Sequence, residues 1–422
     1  MSDLPIHLGT TEDGDEFTLP LEALRRHFIA IGGTGSGKTV LCKAIVEESI
    51  RYRLPVIAVD MQGDLLSLAR QSGMVPDGAL PPSDVTRAKY AERLDVKIWT
   101  PGSTIGIPVS FAPSMLVDPR LGTEARTFTL DAIARGLGSV IGNVKGPTVA
   151  VFYKLLDYMN RWDIPCSDLA EFQEFLRDVP DVLAVELDPL MSESARQKTA
   201  SLFDVAQTGA EGLMYTLGQP LDIFEMFGQR NPGPIAEGRA RLSIVYLNHL
   251  SAEKQMQFLS LLFTSLYQWM LTQSDDLSGM LYVDEIAAIC PPVKKTPAKE
   301  SLMLLLRQAR KYGLCCLLAT QTPGDVDYRA MAQCTTQAIG NVRGQTPEAK
   351  INELVRSWPG VDVDALMDRI RAAKQGQFVV VNPDHLDGPT GIQARWLATE
   401  HRLIQPEDVA DMTSDYDRET LG

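Results

Sequence analysis

Short apolar runs, each closed by polar residues or by Gly or Pro, recur along the chain at Phe28–Ile31, Pro55–Val59, Ser243–Leu247, Met280–Val283, Leu314–Ala319 and Phe378–Val381. Runs this short, apolar throughout rather than alternating, are what strands buried on both faces look like. Between them the apolar positions shift to helical spacing. Val40, Leu41, Ala44 and Ile45 follow the first run; Leu259, Phe263, Leu266 and Met270 precede the fourth; Leu302, Leu305, Leu306 and Ala309 precede the fifth. Alternation of strand and helix predicts an α/β fold, with a mostly parallel central sheet flanked by helices.

From about Pro119 to Arg230 the strand signal fades, and helix-compatible stretches such as 124–137 and 147–161 take over. The Gly- and Pro-rich segment Gly228-Gln-Arg-Asn-Pro-Gly-Pro234 then marks a loop that returns the chain to the sheet. The expected organisation is a short N-terminal segment (1–25), a first half of the sheet domain (26–118), a helical insertion (119–234), a second half (235–400) and a polar, acidic C-terminal tail or docking segment (401–422). There is no internal repeat and no low-complexity tract.

With 422 residues, 45% of them apolar and 22% charged, the chain has material for a sizeable core, which excludes collagen-like, disordered and disulfide-scaffold classes. No apolar run approaches the roughly 18 residues of a membrane helix. The start, Met1-Ser-Asp-Leu-Pro5, lacks the basic and apolar regions of a signal peptide, so a soluble cytoplasmic protein with no membrane partner is expected. Six cysteines (Cys42, Cys166, Cys290, Cys315, Cys316, Cys334) form no C-x-x-C pair, and the five His include no H-E-x-x-H arrangement. Small buried thiols are expected, and zinc chemistry has no support. The formal charge of −14 argues against indiscriminate coating of nucleic acid, though it leaves room for a local basic lining.

The densest chemical signal is Gly32-Gly-Thr-Gly-Ser-Gly-Lys-Thr39, a full match to G-x-x-x-x-G-K-[ST] between an apolar strand and an amphipathic helix. The glycines allow successive N–H groups to turn onto phosphate oxygens, and the helix directs its positive end at the same place. Gly33, Thr34, Gly35, Ser36, Gly37, Lys38, Thr39 and Val40 are therefore the candidate nucleotide-binding residues, with Lys38 on the β- and γ-phosphates and the Thr39 hydroxyl on Mg²⁺. The plain alternative is a Gly-rich strand-to-helix turn. Met280-Leu-Tyr-Val-Asp-Glu285 supplies an apolar strand ending in two carboxylates, with Asp284 for the Mg²⁺ shell and Glu285 to orient and deprotonate water.

Three further features each carry two readings. Gln321, at the end of Leu317–Gln321, is either a sensor of the γ-phosphate or an ordinary strand end. Asp60 and Asp64 edge a neighbouring site or cap a turn. Arg307 and Arg310, one helical turn apart and off the apolar stripe, form either a solvated face or a guanidinium offered to an adjoining subunit's γ-phosphate.

Together, Ile29-Ala-Ile-Gly-Gly-Thr-Gly-Ser-Gly-Lys-Thr39, Val59-Asp-Met-Gln-Gly-Asp-Leu65, Leu281-Tyr-Val-Asp-Glu-Ile286 and Arg307-Gln-Ala-Arg-Lys-Tyr-Gly313, followed by Ala319-Thr-Gln-Thr-Pro323, resemble the HerA branch of the HerA/FtsK ATPases. The phosphate loop is generic. The Arg-Lys-Tyr-Gly to Ala-Thr-Gln-Thr-Pro stretch is far more family-specific. The resemblance implies a RecA-like P-loop NTPase fold, ATP and Mg²⁺ as cofactors, a hexameric ring with nucleotide at its subunit interfaces, and ATP-driven movement of duplex DNA. It also implies that Arg310 acts in trans and that Gln321 is the polar strand-end sensor. One departure stands out: repair-type HerA proteins carry a β-barrel before the ATPase domain, where only about 25 residues precede the phosphate-loop strand here. That puts in doubt a nuclease partner docking through the barrel.

Cys290-Pro-Pro-Val-Lys-Lys-Thr-Pro-Ala-Lys299 places Lys294, Lys295 and Lys299 after the acidic strand, either as pore-loop contacts to DNA phosphates or as a solvated surface loop. Two function classes follow: a ring motor translocating on double-stranded DNA and serving a nuclease or other effector in repair or anti-phage defence, or a nucleotide-gated oligomeric scaffold that recruits or restrains an effector without moving DNA. A conjugation or secretion motor of the same superfamily is a third, weaker reading.

Overall fold

The computed structural model describes residues 4–422 apart from 113, 114, 116, 118–120, 143, 144, 166, 167, 231, 232, 235, 236, 343, 344, 357, 359 and 360. The chain forms two compact units: Met1–Ile98 with Phe224–Ser260 and Gln273–Met412, and Trp99–Ile223 with Leu261–Thr272 and Thr413–Gly422.

The first unit is built on β1 (Pro5–Thr11), β2 (Glu16–Pro20), β3 (Phe28–Ile31), β4 (Val56–Asp60) and β5 (Leu94–Pro101, whose last residues belong to the second unit). The second unit holds two short strands, β6 (Ile107–Ser110) and β7 (Gln219–Pro220). The first unit then resumes with β8 (Ala240–Tyr246), β9 (Gly279–Val283), β10 (Leu314–Thr320), β11 (Thr336–Ile339), β12 (Gln377–Val381) and β13 (Thr390–Ala394). Its strands lie in the order β2-β1-β13-β12-β11-β3-β10-β9-β4-β8-β5. From β11 to β8 every pairing is parallel. Every residue of β3, β4, β8, β9 and β10 is buried, which is why their sequences are largely apolar; β8 also buries Arg241, paired with Asp95, and Ser243, which donates to Met226 O.

Two features of this sheet differ from the sequence reading. The Phe378–Val381 run, expected beside the other parallel strands, is β12, and it pairs antiparallel with both β11 and β13. An apolar run reports burial on two faces and carries no information on strand direction. The residues expected to be only a short N-terminal segment form a β1–β2 hairpin that pairs with β13 and extends the sheet. Its signal is alternation rather than a run: Ile6 and Leu8, then Phe17 and Leu19, point inward, and Gly14 at φ +87° makes the turn.

The helix Lys38–Arg51 is buried almost all round, including Lys43, Glu47 and Glu48, each fully inaccessible. Arg395, just after β13, closes this charge cluster. It pairs with Glu47 at 2.8 Å and Glu48 at 3.2 Å, and donates to the carbonyls of His7 and Ala44. Glu47 also accepts from the N–H groups of Ala398 and Thr399 and from the Thr399 hydroxyl, and Glu48 from the Thr86 hydroxyl. A buried ion pair is tolerable only when its remaining lone pairs are met in this way. The cluster ties the helix to the end of β13.

At the other end of β3, His27 is buried and holds φ +60° with ψ 152°, a backbone state that side chains beyond glycine rarely adopt. Backbone hydrogen bonds from His27 N to Leu24 O and from Thr336 N to His27 O fasten it in place.

In the second unit the helices Thr123–Val140, Gly146–Arg161, Leu169–Arg177 and Glu193–Ala206 share a core of Leu130, Leu137, Leu155, Leu176 and their neighbours. Phe152, Phe172 and Phe203 meet at its centre with ring centroids 5.3 to 6.0 Å apart. The residues expected as a tail are partly helical, over Pro406–Asp411 and Asp415–Leu421. Ser414 caps the second by accepting from Asp417 N at 3.1 Å. Pro119, where the insertion was expected to begin, and part of the 228–234 loop lie outside the described residues. Among the described residues no helix is long and apolar enough to cross a membrane.

Arg395→Met leaves two carboxylates buried without their cation, and should lower unfolding stability by about 3–5 kcal/mol in urea titration. Arg402→Met, at an exposed pair with Glu400, should change it by less than about 0.5 kcal/mol.

Candidate functional site

The parallel register brings three strand ends together. Thr320 of β10 lies beside Ile31 of β3, and Leu318 of β10 beside Val283 of β9, so Gly32, Asp284 and Gln321 leave the sheet as neighbours. Side chains then close the distance. The Thr39 hydroxyl donates to Asp284 Oδ2 at 3.3 Å across 245 positions of sequence, and the Thr34 hydroxyl donates to Gln321 Oε1 at 2.7 Å.

The loop between β3 and its helix depends on glycine at two points. Gly35 and Gly37 stand at φ +75° and +98°, and a Cβ on Gly37 would come within 3.1 Å of the Gly376 backbone. The loop is held from both sides by Gly32 N to Thr320 O, Gly33 N to Asn341 O and Gly376 N to Ser36 O. Asn341 in turn donates from its side chain to the carbonyls of Arg371 and Ala373. Neither Asn341 nor Gly376 stood out in the sequence, because both act mainly through backbone atoms, which leave no signature of residue type.

The arrangement fits a magnesium-bound triphosphate. The helix begins at Lys38 with no side-chain cap and no acid in its first turn, which leaves its N–H groups to an anion. Ser36 Oγ is buried in the loop without a hydrogen-bond partner among the described residues. Lys38 Nζ donates to Gly33 O at 3.3 Å, and burial lowers its pKa while Glu285 and Asp284 raise it. The Thr39 hydroxyl and the Asp284 carboxylate are hard oxygen donors suited to Mg²⁺, which takes few protein ligands beside substrate phosphates. Among the described residues no cluster of three or more His, Cys, Asp or Glu forms a separate metal cage. The side chain of Val40 packs with Ala44 and Leu397.

Burial raises the pKa of both acids. For Asp284 the Tyr282 hydroxyl, which donates to Oδ1, and Lys43 oppose the rise. Glu285 accepts from the Thr320 hydroxyl at 3.0 Å and from the N–H groups of Gln321 and Ala287 at 3.3 Å. These bonds fix its carboxylate at the strand ends, where a raised pKa suits a general base.

The two aspartates after β4 separate. Asp60 is buried and accepts from Gln62 N, Gly63 N, Leu65 N and Leu66 N at 2.6 to 3.2 Å, the work of a turn cap. Burial pushes its carboxyl up to about 6 against the pull of those N–H groups. Asp64 is half-buried, and its carbonyl accepts from the Lys43 ammonium at 2.5 Å.

Arg307 and Arg310 are both exposed, the first on the helix Pro297–Gln308 and the second in the single turn after it. Arg310 precedes β10, whereas the phosphate loop follows β3. Because those strands run parallel, the two lie at opposite ends of the sheet, separated by the length of β10, roughly 20 Å. Lys294 and Lys295 are exposed. Lys299, grouped with them in the sequence reading, departs from it: it is buried, pairs with Asp327 at 3.0 Å and donates to the carbonyls of Pro291 and Pro292. An ammonium saturated in this way is committed to holding the loop. Cys42, Cys290, Cys315, Cys316 and Cys334 are free and buried, with Cys290 pushed up to about 11 by burial; Cys166 lies outside the described residues.

Comparison with known proteins agrees with this geometry. Residues 6–113 match the family model described as "Helicase HerA, central domain", a span that holds the phosphate loop and the Asp60–Asp64 turn. No curated protein matches the sequence. The fold is similar to that of VirB4 of Thermoanaerobacter pseudethanolicus, with a TM-score of 0.58 and 14% identity over 94% of this chain and 97% of that one. It is also similar to the bacterial conjugative coupling protein TrwBdeltaN70 in its unbound form (TM-score 0.53, 15% identity, 94% and 91% covered). The plasmid coupling protein TrwB in complex with ADP and Mg²⁺ gives a TM-score of 0.53 at 16% identity over 94% and 91%.

Lys38→Ala should leave the fold intact and abolish binding of a fluorescent ATP analogue. Asp60→Ala, by contrast, should cost about 1–3 kcal/mol of stability through orphaned N–H groups and leave nucleotide affinity of the folded protein unchanged. A lost affinity with unchanged stability would return Asp60 to a catalytic role.

Proposed function

We infer that this chain, a P-loop ATPase of the HerA/FtsK superfamily that uses ATP and Mg²⁺, works as a homo-oligomeric ring, hexameric by resemblance, that moves along double-stranded DNA and serves a nuclease or other effector in repair or anti-phage defence. The observation that carries the ring is the position of Arg310. An exposed guanidinium roughly 20 Å from the phosphate loop of its own sheet is out of reach of that loop, and is free to enter the site of an adjoining copy.

The contacts support a division of labour within one subunit. The first-turn N–H groups and Lys38 bind phosphate oxygens. Thr39 and Asp284 would hold Mg²⁺, which would supply charge neutralisation for phosphoryl transfer. Glu285 takes the proton of the attacking water, and Gln321, tethered to Thr34, reports the occupancy of the loop to the end of β10. What this set lacks is a mobile positive charge on the far side of the γ-phosphate. Arg310 in trans supplies it, which makes hydrolysis conditional on assembly.

The loop Pro292-Val-Lys-Lys295 is exposed and carries two lysines on a rigid base formed by Lys299 and Asp327. Repeated around a ring, it concentrates positive charge in a chain of net charge −14, and it suits contact with phosphates irrespective of base sequence.

ATP turnover should rise on addition of linear duplex DNA, and the double change Lys294→Glu with Lys295→Glu should remove that rise while sparing basal turnover. A ring that assembles with ATP but ignores every DNA tested identifies the nucleotide-gated scaffold instead. Arg310→Ala should assemble and bind ATP while kcat falls about 10³-fold, with partial recovery on mixing with Glu285→Gln subunits. Full turnover by the Arg310 variant overturns the trans assignment.

A further inference from the structure

His27 belongs to none of the motifs above, yet its imidazole joins three elements that the proposed reaction must move together. Cys316 N, in β10, donates to Nδ1 at 3.1 Å, and Nε2 lies 3.0 Å from Leu306 O on the helix that leads to Arg310. The first contact decides the tautomer. Nδ1 accepts an N–H bond and so carries no proton, and Nε2 carries the proton it donates to Leu306. The ring is buried and held neutral, its pKa brought down to about 4 chiefly by burial, with Arg310 adding to the effect. Its backbone opens β3, and only the four residues Phe28–Ile31 stand between it and Gly32 of the phosphate loop. The unusual φ of +60° falls at the residue whose side chain meets both the helix and β10.

We propose that His27 is a positioning residue that fastens the phosphate-loop strand of one subunit to the helix end presenting Arg310 to the next, so that the arginine's placement in the neighbouring site follows the state of its own subunit's nucleotide. The inference rests on the trans assignment of Arg310. Mechanically it needs no long pathway. A displacement of the loop moves a short strand, the strand carries His27, and one hydrogen bond to Leu306 carries the helix end, a single turn before Arg310. The second bond, to Cys316, keeps the strand leading to Gln321 in the same frame.

His27→Asn is the informative change. Asn bears the same backbone strain at φ +60° and ψ 152° as His does, and its short side chain places an acceptor where Nδ1 stood but does not reach Leu306. The full-length protein should fold, bind ATP with unchanged KM and assemble, while kcat falls on the order of 10- to 100-fold, the loss expected when a catalytic group shifts by about an ångström. His27→Gln, which reaches the Leu306 carbonyl, should recover part of that loss. In the double variant with Arg310→Ala, turnover should be no lower than in Arg310→Ala alone, because the histidine acts through the arginine.

Wild-type kcat in assembled His27→Asn, or a further additive loss in the double variant, overturns the proposal while the trans assignment stands. A rise in KM matching the fall in kcat overturns it in favour of a local defect in the phosphate loop. Full turnover in Arg310→Ala alone removes the premise, and is read separately from the other two.

Discussion

The parallel pairing of β3, β10 and β9 is the constraint on which the rest depends. Its hydrogen bonds set the register that carries Gly32, Gln321 and Asp284 out of the sheet at the same edge. A slip of one residue in either pairing would turn each strand's side chains to the opposite face. The Thr39–Asp284 and Thr34–Gln321 contacts would then be out of reach, and three well-formed motifs would have no common site. The same pairing sends the segment before β10 to the opposite edge, which separates Arg310 from its own loop. One register therefore specifies both which groups a single chain gathers at its phosphate loop and which it holds away from it.

Charge is used differently on the two sides of the phosphate-loop helix. On the reaction side, Lys38, Asp284 and Glu285 are shielded but incompletely paired, and burial works against their charged forms. Groups left in that condition have energy to gain from a ligand. On the far side, Glu47, Glu48 and Arg395 are buried more deeply, yet each carboxylate is met by a guanidinium and by further hydroxyl or N–H donors. That cluster is satisfied and inert, and it gives the helix a fixed seat. Asp60 belongs with the second group, since its oxygens are taken by the backbone of its own turn.

The buried parallel strands were visible in the sequence because full burial leaves unbroken apolar runs. The phosphate loop and the acidic strand end were visible because their chemistry demands particular side chains at fixed spacing. Features that act through backbone atoms were not: Asn341 and Gly376 brace the loop with a carbonyl and an N–H that any residue type supplies. The β1–β2 hairpin was missed because its alternation is short and breaks at Gly9 and Thr10, and the direction of β12 because burial is blind to polarity. Lys299 looked like its neighbours Lys294 and Lys295 until Asp327, distant in sequence, claimed it. His27 escaped notice for a similar reason, since both its partners are main-chain atoms.

The place of β3 in the sheet has a consequence for how the chain is made. It lies between β10 and β11, neither of which is synthesised until nearly three hundred residues later. While the ribosome works through the intervening chain, a fully apolar strand with both edges unsatisfied has no native neighbour to pair with. Vectorial synthesis thus leaves the most ligand-critical segment exposed longest, whereas the helical core between Leu130 and Phe203, whose contacts are local in sequence, can form well before β3 is paired. A chaperone that shields the nascent amino-terminal stretch would answer a need written into the strand order itself.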